Sequence, residues 1–228
     1  MRKYVISSIC IVLIAAIIST FVIMIAVEKS KDIKFGEKFS VNFCDENGKI
    51  VETIQTRKGF VKPPQALDLG YSKMFKEWYP SVLDIEAETD IKPVVQDIEG
   101  INTVFIDTNY VPRQKSFDIS VKLGGVVECN KLEFYVNYEP NVLEYKGFAE
   151  NIDGVTVEKS GESSIKVKLE RAENLTEGIT LLQLTFKSKI DDYIYTTIDA
   201  EFIDIEKNVN GVSVNTDCSL YDGLIYTY

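Results

Sequence analysis

Carboxylates are the most abundant reactive side chains in this sequence, and imidazole is absent from it. The chain has 35 aspartates and glutamates, 25 lysines and arginines, and no histidine. The lack of histidine excludes Ser-His and Cys-His nucleophile systems and histidine-ligated zinc. Carboxylates could act in pairs about 5 to 9 Å apart, as in glycosidases. No pair stands out by its spacing, and chance pairs are expected among so many acids, so the sequence does not predict an enzyme.

Other patterns for catalysis, cofactors or nucleic acid are also missing. There is no phosphate loop, nucleophile elbow or metal constellation, so no cofactor is predicted. Asp45-x-Asn47-Gly48 places its glycine too early for an EF-hand calcium loop and is typical of a turn. The net charge is −10, and residues 1–27 contribute only Arg2 and Lys3, so the rest carries −12. Such an acidic surface repels phosphate backbones, which makes nucleic-acid binding unfavourable.

The four cysteines show no metal-binding spacing. They are Cys10, Cys44, Cys129 and Cys218, and no Cys-x-x-Cys pair occurs among them. A disulfide between Cys129 and Cys218 and a set of free thiols are both compatible with the sequence, because spacing alone cannot pair cysteines.

An apolar segment near the N-terminus predicts export. The 24 residues from Tyr4 to Val27 contain no charged side chain, and as a helix they would span about 36 Å, enough for a bilayer core. Arg2 and Lys3 precede the segment and favour the cytoplasmic side. We therefore predict a single-pass membrane anchor over residues 1–27 and a linker over 28–35, with the remainder outside the cell. A cleaved signal peptide, and hence a secreted protein, is the alternative.

A strand with one apolar and one polar side follows later in the chain. From Lys131 to Tyr138 apolar and polar residues alternate, which predicts that Phe134 and Val136 are buried. Glu139-Pro140-Asn141 ends this strand. Nine strand-like runs, separated mostly by Gly, Asn, Asp or Pro, predict an all-β sandwich or barrel. They are Thr103–Asp107, Ser116–Leu123, Lys131–Tyr138, Leu143–Phe148, Val155–Glu158, Ser164–Glu170, Ile179–Ser188, Ile194–Ile205 and Gly223–Tyr228.

Four landmarks in residues 101–228 resemble the cohesin family. The corner from Tyr138 to Glu144, Tyr-Glu-Pro-Asn-Val-Leu-Glu, is similar to the family's Tyr-Asp-Pro-x-Val-Leu-Glu. The others follow in family order: Glu177-Gly178-Ile179 leading into Leu184-Thr185-Phe186-Lys187, then Phe202-Ile203-Asp204, then Asp222-Gly223-Leu224-Ile225-Tyr226. The resemblance implies a nine-stranded jelly-roll β-sandwich that holds a dockerin on one sheet face, the calcium being carried by the dockerin.

The same resemblance implies a set of partner-binding residues. Its third strand corresponds to Lys131, Glu133 and Tyr135, and alternation adds Lys166 and Lys168 from the sixth strand. Family members have an Asn and an Asp at the positions of Lys131 and Glu133. Lys131 departs from that pattern and reverses the polarity of a contact, so the identity of the partner is left open.

Residues 36–98 resemble a second bacterial surface family. Phe39–Phe43 and Lys49–Ile54 flank the Asn47-Gly48 turn and predict a β-hairpin. The ordered landmarks that follow resemble the Listeria–Bacteroides repeat of internalins, with Glu77 departing from the family's glycine. They are Gly59, Pro63-Pro64, Gly70-Tyr71, Phe75, Trp78-Tyr79 and Thr89-Asp90-Ile91. Members are small β-rich modules. Trp78 is expected in the core of such a module, and a ligand platform is the alternative.

Three functions follow from these observations. The first is a membrane-anchored bacterial receptor that docks dockerin-bearing exported proteins, such as polysaccharide-degrading enzymes. The second is a carbohydrate-binding module, for which Tyr135, Tyr193 and Tyr195 are the candidate aromatic residues. The third is a structural adhesin of the cell surface.

Overall fold

The computed structural model describes residues 38–64 and 69–228, and their regular structure is entirely β. The predicted membrane anchor of residues 1–27 and the linker of residues 28–35 lie outside the described residues. Within the two described ranges, no helix is long and apolar enough to cross a membrane.

The first part of the chain forms a four-stranded sheet. Its strands are β1 (Phe39–Cys44), β2 (Ile50–Thr56), β3 (Lys73–Tyr79) and β4 (Thr89–Asp97), in the order β2-β1-β4-β3. The predicted hairpin is confirmed, because β1 and β2 pair antiparallel and Gly48 takes a positive φ of 82° in the turn. Asp45 Oδ1 accepts hydrogen bonds from the backbone N–H groups of Asn47 and Lys49.

Aromatic side chains form the core of this small sheet. Trp78 is 2% exposed and packs edge-on against Phe43, with ring centroids 5.1 Å apart. Phe75 lies 5.2 Å from the same indole ring. The expectation that Trp78 is a core residue is therefore confirmed.

The rest of the described chain forms a two-sheet sandwich. Its strands are β5 (Thr103–Ile106), β6 (Asn109–Val111), β7 (Ser116–Gly124), β8 (Cys129–Tyr138), β9 (Leu143–Glu150), β10 (Val155–Lys159), β11 (Ser164–Leu175), β12 (Ile179–Ser188), β13 (Tyr195–Val209), β14 (Val212–Asn215), β15 (Ser219–Tyr221) and β16 (Gly223–Thr227). One sheet has the order β10-β11-β8-β13-β16-β6, with β14 paired to β13, and the other has the order β15-β5-β7-β12-β9.

Each of the nine predicted runs contains a strand of this sandwich. The structure adds three short strands, β6, β14 and β15, to the predicted nine. Each has only three or four residues, which is too short for an alternation of apolar and polar side chains to stand out. The observed sandwich is thus all-β as predicted, with more strands than predicted.

Alternation along the strands builds the sandwich core. On β8, Leu132, Phe134 and Val136 are at most 1% exposed, as predicted, and they belong to one core shared by both sheets. Facing residues from β12, such as Phe186, close the core from the other sheet. At the end of β8, the hydroxyl of Tyr138 donates a hydrogen bond to the carbonyl oxygen of Glu162 at 2.8 Å.

The four-stranded sheet packs directly against the sandwich. The backbone N–H of Phe75 on β3 donates to Asp107 Oδ1 at 2.9 Å, and the N–H of Thr108 donates to the Phe75 carbonyl at 3.1 Å. The other oxygen of Asp107 pairs with Lys122 of β7. Phe105 of β5 joins Met74 of β3 in a further apolar cluster. The carboxylate of Asp107 therefore ties the two parts of the chain together.

The described cysteines carry free thiols. Cys44 belongs to the four-stranded sheet, whereas Cys129 and Cys218 both pack in the sandwich core. Burial raises the pKa of Cys129 to about 12, with a further contribution from Cys218, and burial raises the pKa of Cys218 to about 11. Both thiols are therefore neutral and weakly nucleophilic at neutral pH.

Candidate functional site

The five predicted partner-binding residues lie on one surface. They stand on the side of β8 and β11 that faces away from the sandwich core, and each is half-buried. They are Lys131, Glu133, Tyr135, Lys166 and Lys168. We call the outward side of β10, β11, β8 and β13 the outer face. The structure brings all five predicted residues together on it, because antiparallel register places their side chains on the same side of the sheet.

Strand register arranges the outer face in rows. Tyr135 of β8 lies between Lys166 of β11 and Glu201 of β13. In the next row, Glu133 lies between Lys168 and Asp204. Directly opposite residues in such ladders are close enough for their side chains to interact. Lysines therefore line one side of β8 and carboxylates line the other.

Glu133 is the centre of the charge network on the outer face. Its Oε1 lies 2.6 Å from Lys166 Nζ, and its Oε2 lies 3.4 Å from Lys168 Nζ. The hydrogen bond from Lys166 lowers the pKa of Glu133, and Lys168 adds to this effect, while partial burial opposes it. The same bond raises the pKa of Lys166. Glu133 and Lys166 are therefore both charged across the neutral range.

Tyr135 is the largest apolar element among the five residues. The ammonium group of Lys166 lies 5.8 Å from the centre of its ring, within the range of a cation–π contact. In a row further along β8, Lys131 Nζ pairs with Glu206 Oε2 of β13 at 3.2 Å. The ring and its neighbouring charges form a surface with an aromatic centre and charged surroundings.

The acidic side of the outer face was not among the predicted site residues. Asp199, Glu201 and Asp204 of β13 are exposed, and Glu201 accepts a hydrogen bond from the Asn137 amide at 3.3 Å. A register shift between Phe202 and Asp204 lets Glu201 and Asp204 stand in adjacent outward rows although they are three positions apart. A regular alternation would have placed either Glu201 or Asp204 on the core side. Because of the bulge, the sequence pattern did not predict that these carboxylates share the outer face.

A shallow cleft of about 170 Å³ opens in the outer face beside that bulge. Lys131, Glu133, Lys168 and Asp204 line it. Charged groups of both signs surround the opening, so the cleft suits a polar side chain of a partner. No group of three or more metal-ligating side chains occurs among the residues that the structure describes.

Comparison with solved structures identifies the architecture of the sandwich. The seventh type I cohesin of ScaB from Pseudobacteroides cellulosolvens superposes with a TM-score of 0.52 at 14% identity, over 57% of this chain and 94% of that chain. A chain from the type I OlpA cohesin–dockerin complex of Clostridium thermocellum superposes with a TM-score of 0.51 at 11% identity, over 57% of this chain and 100% of that one. The sandwich has a cohesin-like fold.

At these identities the likeness concerns the fold alone. No protein-family model matches the sequence, and no curated protein matches it. The cohesin-like fold agrees with the four landmarks found in the sequence. The resemblance of residues 36–98 to the Listeria–Bacteroides repeat stays a prediction, as does the membrane anchor.

Proposed function

We propose that the chain is a membrane-anchored extracellular receptor whose cohesin-like sandwich docks dockerin-bearing exported proteins. Polysaccharide-degrading enzymes are the partners that we expect. The observation that carries this proposal is the composition of the outer face, on which an aromatic ring, two lysines and a bridging glutamate stand together on one side of a sheet. In the C. thermocellum complex, a chain of similar fold is found with a dockerin.

The outer face has the properties of a protein-binding surface rather than a small-molecule site. A specific complex buries about 800 Å² on each partner, which a flat sheet of four strands can supply. Tyr135 is the expected anchor, because tyrosine gives contact area at a low cost in side-chain entropy. The ion pairs of Glu133 already hold Lys166 and Lys168 in place, so little side-chain order is lost on binding.

In this proposal the calcium comes with the partner, and the predicted N-terminal anchor holds the chain at the cell surface. The resemblance to cohesins assigns the calcium to the dockerin, so the partner must bring it. The predicted anchor of residues 1–27 would hold the receptor at the membrane and leave the outer face accessible to exported enzymes.

Calorimetry with dockerins encoded in the same genome tests the proposal. The full chain should bind at least one of them with calcium present, and binding should be lost when a chelator removes calcium from the dockerin. The proposal is contradicted if the chain binds none of the dockerins in the panel. It is also contradicted if the genome encodes no dockerin.

Charge reversal at the outer face locates the binding surface. Lys166→Glu combined with Lys168→Glu should abolish binding, because it leaves Glu133 among like charges. The matched control is Lys49→Glu combined with Lys58→Glu in the four-stranded part of the chain, which makes the same change in net charge and should leave binding intact.

A further inference from the structure

A second cavity, unrelated to the outer face, lies where the four-stranded sheet meets the sandwich. We call it the junction cavity, and its volume is about 250 Å³. Its aromatic and hydroxyl lining comes from both parts of the chain. These residues are Phe75, Trp78, Thr108, Tyr110, Phe117 and Tyr228. The volume is just below the range of about 300 to 1,000 Å³ that is usual for ligand pockets, so it suits a single ring.

A buried hydroxyl group in the cavity wall lacks a partner. Thr108 is 2% exposed, and its Oγ1 makes no hydrogen bond with any of the residues that the structure describes. Buried polar atoms without partners are rare in folded proteins, because desolvating them is unfavourable. Thr108 lines the junction cavity, so a ligand bound there would be placed to supply the missing hydrogen bond.

The aromatic walls of the cavity are held in place from behind. The ring of Tyr110 stacks on Tyr226 with a centroid distance of 4.9 Å and an interplanar angle of 11°. The ring of Tyr228 stacks on Phe60 at 4.5 Å. The Tyr110 hydroxyl also accepts a hydrogen bond from the backbone N–H of Trp78 at 3.4 Å. A ligand would therefore meet walls that need little rearrangement.

Positively charged, negatively charged and neutral polar side chains also line the junction cavity. Lys62 contributes an ammonium group and Asp118 a carboxylate, and Asn109 adds an amide. Asp118 also accepts a hydrogen bond from Thr185 at 2.6 Å, which fixes its position. One positively charged and one negatively charged side chain line the cavity, so its lining side chains carry no net charge. The donors and acceptors together favour a neutral ligand rich in hydroxyl groups.

We propose that the junction cavity binds one neutral sugar ring, such as the terminal residue of a glycan. The aromatic walls would pack against the C–H groups of the ring. Thr108, Asn109, Asp118 and Lys62 would bind its hydroxyls. The two parts of the chain would thus form a glycan-binding site together, independently of any dockerin.

Trp78 provides a direct readout, because it is the only tryptophan in the chain and lines the cavity. The full chain, kept in a detergent without a sugar headgroup, is titrated with methyl glucoside, methyl galactoside, methyl mannoside and xylose. A saturable change in Trp78 fluorescence with at least one sugar is expected. No change with any of them up to about 10 mM overturns the proposal, since weaker binding would not be specific.

Thr108→Val separates a ligand-binding role from a structural one. Loss of one hydrogen bond should weaken sugar binding about 3- to 10-fold. The melting temperature should not fall, because the hydroxyl has no partner in the unliganded protein. Thr176→Val is the matched control, because Thr176 is exposed between β11 and β12 and does not line the cavity, and it should leave sugar binding unchanged. Unchanged affinity in Thr108→Val overturns the proposal.

Discussion

The two sides of strand β8 have opposite physical roles. Inward, Phe134 and Val136 are fully buried in the core shared by both sheets. Outward, Glu133 and Tyr135 lie on the outer face among charged neighbours. Adjacent residues therefore serve opposite purposes, because the alternation of a strand sends one side chain to the core and the next to solvent. The comparison teaches that the core and the charged outer face can be changed separately on one strand.

The largest effect is expected from the inward side. Phe134→Ala should lower the free energy of unfolding by about 3 to 5 kcal/mol, because it leaves a cavity in a closed core. Urea denaturation measures the change. If Phe134→Ala has the same free energy of unfolding as the unsubstituted protein, the assignment of Phe134 to the core side is wrong.

The junction offers a polar residue that should behave like a core residue. Asp107→Ala leaves Lys122 and the buried N–H of Phe75 without their shared acceptor and should cost about 1 to 3 kcal/mol. Differential scanning calorimetry should show the loss. Asp107→Ala combined with Lys122→Met should cost less than Asp107→Ala alone, since the uncompensated charge is gone. Equal costs would show that the ion pair does not hold the junction.

The outward side of β8 should affect binding and not folding. Tyr135→Ala should weaken binding of a dockerin-bearing partner by about 2 kcal/mol and change stability by no more than about 0.5 kcal/mol. Calorimetric titration and urea denaturation measure the two quantities. The matched control is Tyr79→Ala, which removes an exposed tyrosine from β3. If Tyr135→Ala unfolds the protein, the assignment of inward and outward residues on β8 is wrong.

The smallest effect concerns the protonation of Glu133. Its pKa is lowered chiefly by the hydrogen bond from Lys166, so the carboxylate stays charged below the ordinary range of a glutamate. Because the folded-state pKa is the lower one, the stability from this bond is fully present above the unfolded-state pKa and is lost as the pH falls through the folded-state value. Carbon-detected NMR titration should show the pKa rising in Lys166→Met. An unchanged pKa in that variant would show that another group holds Glu133 charged.

Several features of the fold could be predicted from the sequence. The alternation from Lys131 to Tyr138 specified which side of β8 is buried, since a period of two is a local property of the chain. The Asn47-Gly48 dipeptide specified a hairpin, because a glycine readily adopts the positive φ that Gly48 takes in the turn. The nine runs and their spacing predicted an all-β sandwich or barrel, and the resemblance to cohesins implied the sandwich that the structure has.

Other features depended on contacts between residues far apart in the chain. Asp107 is the last residue of a predicted strand. The neighbouring sequence does not indicate whether its carboxylate is in solvent or, as in the structure, binds Phe75 and Lys122. The bulge in β13 placed Glu201 and Asp204 in adjacent outward rows, which alternation could not indicate. The junction cavity exists only because β3 packs against the sandwich and brings Trp78 near Thr108 and Tyr228. The local pattern of side chains specifies which side of a strand a residue is on. Only the tertiary structure decides which other residues its side chain contacts on that side.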